Sequence, residues 1–186
     1  MPIWKWNGAN DAFTTLQPMR DEDLISGMFT ADGSPKTWTR PPQVKPGIER
    51  QSANQRPLGD ISFVMGGSVV LNDKAYAALG AFLLPFGQFL DLDLVDKVCL
   101  GGGNQPLHFY NVTRVVRCID FERSETEGSK VLRPVFRHDA VPTDAQVFKD
   151  PLRKKIDVYV NDAAHGELSR LMVAAGVSGS TFTLVG

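Results

Sequence analysis

The spacing of hydrophobic and polar residues changes along the chain, and each change predicts a different kind of element. Leu90, Leu92 and Leu94 alternate with Asp91 and Asp93. This period of two predicts a strand with one apolar and one acidic face. Runs rich in β-branched and aromatic residues predict further strands at 108–121, 131–138, 155–160 and 181–185.

Two longer stretches carry the 3.6-residue spacing of helices. The first follows Asn72, which can cap a helix that runs to about Leu84. The apolar side of this helix is formed by Ala75, Ala78, Leu79, Phe82 and Leu83. The second runs from Asp162 to about Ala175 and ends at Gly176, because glycine readily adopts the left-handed conformation of a helix end.

The first 30 residues are less regular. A strand is predicted at 12–16, and a short helix is predicted to begin at Asp21, because acidic residues in the first turn complement the helix dipole. Leu24, Ile25 and Met28 would give this helix one apolar side.

Residues 31–60 contain five prolines and almost no aliphatic residues. Since proline fixes its own φ and lacks a backbone donor, we predict neither regular helix nor central strand in this stretch. An irregular stretch of this length in a compact domain is either functional or mobile. Trp38 is the residue expected to fix part of it to the rest of the protein.

Strands dominate this pattern and helices are interspersed, which is typical of an α+β fold with a largely antiparallel sheet and two or three helices. The extended Pro-rich segment precedes this part. We predict an N-terminal lobe at 1–60 and an α+β domain at 61–186, and we expect the two to form one structural unit. Pro134 places the 131–138 strand at a sheet edge or a bulge, which leaves a homodimer open.

The formal net charge is −1, from 20 basic and 21 acidic residues. Because proteins that bind phosphate backbones usually have a basic excess, we expect no nucleic-acid partner. Cys99 and Cys118 match no zinc or redox spacing, so they are expected to be reduced, half-buried thiols, although a bridge between them stays open. No secretory signal and no membrane span are recognised, which predicts a cytoplasmic protein with no membrane partner.

No pattern in the sequence indicates catalysis. His108, His138 and His165 stand apart from one another and from any Cys/His cluster, so no metal site is expected. The glycine run at 101–103 is followed by Pro106 and a strand, whereas a phosphate loop requires a helix. Asp91 and Asp93 form a DxD pair without a third oxygen ligand nearby. We therefore predict no catalytic residue, no metal and no cofactor.

The sequence does not decide the roles of two charged clusters. Asp120, Glu122, Glu125 and Glu127 end the predicted 108–121 strand and enter a turn. They either meet a basic partner surface or serve solubility. The basic run at 153–155 is equally ambiguous.

The order of motifs resembles a family of bacterial immunity proteins from polymorphic toxin systems, the eleventh such family catalogued and earlier a domain of unknown function. The resemblance covers about residues 58–185, with a weaker echo at Gly33, Pro35 and Trp38. Its motifs are structural and stand in the family's order: LGDIS with SVVLNDKAYAAL, LLPFGQFLDLDL, YNVTRVVRCIDFERSE, VFRHDAVPTDAQVFKDP and KIDVYVNDAAHGELSRLMVAAGVSGSTFTLV. The first 30 residues and GGGNQP depart from the family.

The resemblance implies an immunity protein that binds and neutralises a cognate toxin domain, delivered by a type VI or contact-dependent system, by occluding its active site. The predicted contact surfaces are the acidic face of Asp91 and Asp93, the turn bearing Asp120, Glu122, Glu125 and Glu127, and the loop of Trp38 and Arg40. Trp38 and Arg40 are the expected anchors, because tryptophan and arginine often dominate interface energies. Two alternatives stay open: a small cytoplasmic enzyme that reverses the toxin's damage, and a self-assembling scaffold protein.

Overall fold

A computed structural model of the chain describes residues 1–47, 56–65, 67–95 and 104–186. The predictions for Cys99 and for the glycine run at 101–103 concern residues outside these ranges.

Within these ranges the chain folds into an α+β structure, as predicted. Its α-helices are α1 (Asp21–Ile25), α2 (Asp73–Leu83) and α3 (Asp162–Ala175). Its strands are β1 (Ile3–Gly8), β2 (Leu16–Pro18), β3 (Gln43–Pro46), β4 (Ile61–Met65), β5 (Ser68–Leu71), β6 (Gly87–Val95), β7 (Asn104–Val112), β8 (Ile119–Glu127), β9 (Lys130–Phe136), β10 (Val147–Phe148), β11 (Val158–Asn161) and β12 (Ser180–Leu184). Short 3₁₀ turns lie at Leu84–Phe86 and His138–Ala140.

The described strands form two sheets and a hairpin. One sheet has the order β2-β3-β6-β7-β5-β4, the other has the order β10-β11-β1-β12, and β8 pairs with β9. The pairing of β3 with β6 is parallel, whereas the other pairs of these strands are antiparallel. The six-stranded sheet curls, because its edge strands β2 and β4 lie beside each other.

Apolar side chains on both faces of each sheet build three core clusters. The first joins the two sheets through α2 and α3 and contains Trp6, Leu79, Leu168 and their neighbours. The second fills the inside of the curled sheet around Phe109. The third packs the other face of the four-stranded sheet against the β8–β9 hairpin. The hairpin and both sheets thus share one continuous framework.

Side-chain caps fix the two longer helices where the sequence predicted them. The Oδ1 atom of Asn72 accepts the N–H of Ala75 at 3.0 Å at the start of α2. Asn161 caps α3 in the same way. Gly176 ends α3 with φ +62°, the left-handed conformation expected of it.

The prediction of one long strand at 108–121 is wrong. β7 ends at Val112 and β8 begins at Ile119. Between them the N–H groups of Thr113 and Arg114 both donate to Phe86 O at 3.0 Å. This turn carries the chain out of the six-stranded sheet. β-branched residues favour a strand only where a neighbouring strand is available to pair with them, so composition alone did not predict the break.

The predictions for the N-terminal part are partly wrong. Ile25 is 87% exposed and Leu24 is exposed too, whereas Asp23 is the buried residue of α1. The predicted 12–16 strand lies instead at Leu16–Pro18.

The prediction of no central strand in 31–60 is wrong, because β3 lies between β2 and β6 in the six-stranded sheet. The only proline within β3 is its last residue, Pro46, so the N–H groups of its other residues remain available for pairing. β1 likewise lies between β11 and β12. Sheet hydrogen bonds therefore cross the predicted boundary at residue 60 in both sheets.

Among the helices of the described residues, none is long and apolar enough to cross a membrane.

Candidate protein-binding surface

The stretch at 33–42, here called the anchored segment, is fixed to the six-stranded sheet by two side-chain amides. Gln88 on β6 and Asn111 on β7 lie opposite each other. Gln88 Oε1 accepts the N–H of Lys36 at 2.7 Å, and Gln88 Nε2 donates to Lys36 O at 2.8 Å. Asn111 Nδ2 donates to Ser34 O at 2.8 Å. Side chains thus take the place of a strand partner for an irregular backbone.

Trp38 fixes the same segment at its centre, as predicted. Its ring packs edge-on against Phe109, with 5.4 Å between ring centroids, and its Nε1–H donates to Asp91 O at 3.0 Å. The ring remains only half-buried. Trp38 therefore contributes both to the core inside the curled sheet and to the surface.

The end of the anchored segment forms a pocket of about 260 Å³, here called the Arg40 pocket. It is lined by Arg20, Arg40, Pro41, Pro42, Gln43 and Asp93. The parallel pairing of β3 and β6 builds it, because Gln43 lies opposite Asp93 and the N–H of Asp93 donates to Pro42 O at 3.0 Å. Arg20 is held by two hydrogen bonds to Asp23, which raise the pKa of Arg20 and orient its guanidinium.

Four of the predicted contact residues therefore lie in one region. Arg40 and Asp93 line the pocket, and the backbone of Asp91 holds Trp38. Side chains alternate along β6, so Asp91 and Asp93 lie on the sheet face opposite to the leucines and to Trp38. Asp91 is exposed and Asp93 is half-buried. The region thus wraps around the sheet edge instead of presenting one flat face.

The predicted acidic residues Asp120, Glu122, Glu125 and Glu127 lie elsewhere, on the β8–β9 hairpin. They lie along β8, and only Glu127, its last residue, adjoins the turn at 128–129, so the predicted position at a turn is wrong for the other three. Basic residues are interspersed with them: Arg133 Nε lies 3.4 Å from Glu125 Oε2, and Arg123 and Lys130 are exposed on the same hairpin. The hairpin therefore carries mixed charge instead of a single acidic patch.

The three histidines lie at separate places. His108 Nε2 lies 2.8 Å from Asp73 Oδ1, and its ring stacks on Tyr76. His138 Nδ1 lies 2.8 Å from Met1 O, and His165 stacks on Trp4 at a centroid distance of 4.0 Å. In the part of the chain that the structure describes, no three His, Cys, Asp or Glu side chains are grouped as metal ligands.

A larger cleft of about 580 Å³ lies between β1, β2 and β4, and nothing in the sequence pattern indicated it. Aromatic residues Trp6 and Phe63 line it together with polar residues such as Lys5, Asn7 and Gln17. These residues are distant in sequence and meet only because the six-stranded sheet curls onto β1. A one-dimensional pattern therefore carries no signal for this cleft.

A buried ionic cluster lies beside this cleft. Asp157 accepts a hydrogen bond from Arg153 Nε at 2.5 Å and one from the Tyr159 hydroxyl at 3.0 Å, and Lys5 Nζ lies 2.7 Å from its other oxygen. Burial disfavours the charged form of Asp157, but the bonds from Arg153 and Lys5 outweigh burial and lower its pKa. This cluster holds β11 to β1 and to the turn before it.

Lys149 is fully buried and joins two turns of the backbone. Its Nζ donates to Gly67 O at 3.0 Å, Lys154 O at 2.9 Å and Asp157 O at 3.4 Å. Burial lowers the pKa of Lys149 to about 7, although the charge of Asp157 opposes this shift. The side chain thus satisfies carbonyl groups that the turns leave unpaired.

We expect the contribution of Lys149 to stability to depend on pH. In the unfolded chain the Lys149 ammonium group stays protonated up to the ordinary lysine pKa, whereas in the folded protein it loses its proton at about pH 7. Since the unfolded state binds more protons between these values, stability rises with pH across that window. Urea unfolding of the wild type and Lys149→Met at about pH 6.5 and about pH 9.5 measures the effect, because methionine does not titrate. At the higher pH the free energy of unfolding of the wild type should rise relative to that of the variant. An equal difference between the two proteins at both pH values would contradict the lowered pKa of Lys149.

No protein-family model and no curated protein matches the chain. The resemblance to the immunity-protein family, and every contact residue inferred above, therefore stay predictions.

Proposed function

We propose that this chain is a cytoplasmic immunity protein that binds a cognate toxin domain and neutralises it by covering its active site. The toxin would be a bacterial effector used in competition between cells. The observation that carries this proposal is the anchored segment, whose irregular backbone is held by Gln88, Asn111 and Trp38. Of the two roles open to a long irregular stretch, mobile or functional, this anchoring favours the functional one.

Anchoring supports binding because a segment that is already ordered loses little conformational freedom when a partner docks. Three prolines, Pro35, Pro41 and Pro42, restrict the backbone further. Arg40 is exposed at the end of this rigid segment. A guanidinium presented in this way suits an acidic side chain of the partner, because it can donate two parallel hydrogen bonds to a carboxylate.

The proposal is tested by co-expression with the toxin domain encoded beside this chain's gene, followed by isolation of the complex. We expect restored growth together with a stoichiometric, salt-resistant complex. Restored growth without a complex would contradict the proposal and favour an enzyme that reverses the damage. A stable homo-oligomer with no toxin gene beside it would favour a scaffold protein instead.

Arg40→Glu should weaken toxin binding by about 2 kcal/mol or more, because it places a carboxylate where a cation is expected to meet an acidic group. Arg117→Glu is the matched control, since Arg117 is also exposed but lies between β7 and β8. Titration calorimetry of both variants against the toxin domain measures the effect. Equal affinities for the two variants would remove the Arg40 pocket from the interface.

A further inference from the structure

The outer edge of β12 is unprotected in a way that the other described sheet edges are not. β10 has two residues, β2 has three and ends in Pro18, and β4 lies beside β2. β8 carries acidic residues, and β9 carries Lys130, Arg133 and Pro134. Short length, charge and proline are the usual means by which proteins prevent an edge from pairing with another chain. In contrast, residues 178–186 contain neither a charged residue nor proline.

The backbone of β12 has unused hydrogen-bonding groups along this edge. β1 occupies its inner side, where Val185 N donates to Ile3 O at 2.9 Å. Antiparallel strands alternate the direction of their backbone groups, so Thr181 and Thr183 also face β1. The N–H and C=O groups of Phe182 and Leu184 therefore point outward, and among the described residues they have no backbone partner there. Leu184 is 57% exposed.

We propose that this edge pairs with β12 of a second copy of the chain, antiparallel and about a two-fold axis at Phe182. The four-stranded sheet of each copy then becomes half of a continuous eight-stranded sheet. Phe182 pairs with Phe182 of the second copy, and Thr181 pairs with Thr183 of the second copy.

The composition of the strand favours a second copy as the occupant. Like charges directly opposite each other destabilise a strand pair. β12 contains no charged residue, so none would face its counterpart in the second copy. Threonine and phenylalanine are residues that pack well against their own kind across strands. A two-fold interface of this kind is self-complementary, so it closes after two copies and leaves no further β12 edge.

Sedimentation equilibrium of the wild-type chain from about 5 to about 500 µM tests the proposal, because an interface of one strand pair is small and its dimer is expected to be weak. The test variant is Thr181→Glu with Thr183→Glu, which sets carboxylates opposite each other across the two-fold axis. Both positions are exposed, and a glutamate at 183 keeps a side-chain oxygen that can accept the hydrogen bond which Asn7 Nδ2 donates to Thr183 Oγ1. Ile25→Glu with Ala81→Glu adds the same charge at exposed helix positions and serves as the control.

We expect the wild type and the control to dimerise and the test variant to remain monomeric. Amide hydrogen exchange provides a second readout that needs no variant: the N–H groups of Phe182 and Leu184 should become protected as concentration rises, whereas those of Thr181 and Thr183 are protected throughout. A chain that stays monomeric over the whole range, or a dimer that survives in the test variant, would overturn the proposal. Protection of Phe182 and Leu184 only in a complex with the toxin domain would overturn it too, and would assign the edge to a toxin strand.

Discussion

Replacing Asp157 by alanine should lower the free energy of unfolding by about 3–5 kcal/mol, the largest effect on stability that we expect from one charged residue here. The substitution leaves Arg153, only 14% exposed at its side chain, without its carboxylate partner. It also removes the acceptor of the buried Tyr159 hydroxyl. A buried donor or cation that loses its partner keeps the full cost of its desolvation, because water cannot reach it.

Glu167→Ala is the matched control for Asp157→Ala. Glu167 also pairs with an arginine, Arg170, at 2.6 Å, but the side chains of Arg170 and Glu167 are 64% and 38% exposed. Its loss should cost less than about 1 kcal/mol. Urea unfolding of both variants measures the two values, and similar values would show that the cluster around Asp157 does not stabilise the fold. Because its pKa is lowered, Asp157 should keep contributing at mildly acidic pH and lose its effect only as the pH falls through that lowered pKa.

Trp38→Ala should weaken binding of the toxin domain by about 2–4 kcal/mol, which corresponds to roughly 30- to 1,000-fold in Kd. The substitution removes both the ring contact with Phe109 and the bond to Asp91 O. The anchored segment then loses its central attachment. Ordering the segment costs conformational entropy when the toxin binds, and this cost lowers the affinity.

Trp4→Ala separates this effect from a general loss of stability. Trp4 is also a half-buried tryptophan, stacked on His165 and donating from Nε1 to Asp162 Oδ1 at 3.4 Å, but it lies in the four-stranded sheet. Titration of both variants with the toxin domain, below the temperature at which either unfolds, provides the comparison. Equal losses of affinity would mean that Trp38 acts through the stability of the whole fold.

The parts of the fold that depend on local chemistry could be predicted from the sequence. Asn72 and Gly176 fix helix ends through bonds within a few residues of themselves, and the alternation in 90–94 is set by one strand alone. The strand at 108–121 could not be predicted correctly, because its break depends on Phe86 O and on the chain near Lys149.

The candidate site was only partly predictable for the same reason. Trp38 and Arg40 stand in an unusual proline-rich stretch, which gives a local signal. Gln88 and Asn111 give none, since each reads as an ordinary polar residue in a strand and acquires its role only when the two strands align. The same holds for Lys5 and Asp157, which lie near opposite ends of the chain and meet across two strands.

The measurement that tests the proposed function most directly is hydrogen exchange of the chain with and without the toxin domain encoded beside it. We expect new protection in the toxin complex at residues 37–40 of the anchored segment, which lead into the Arg40 pocket. The β8–β9 hairpin serves as the internal reference, because its acidic residues are interspersed with basic ones. Protection confined to that hairpin or to the 580 Å³ cleft, or no protection anywhere, would contradict binding through the anchored segment.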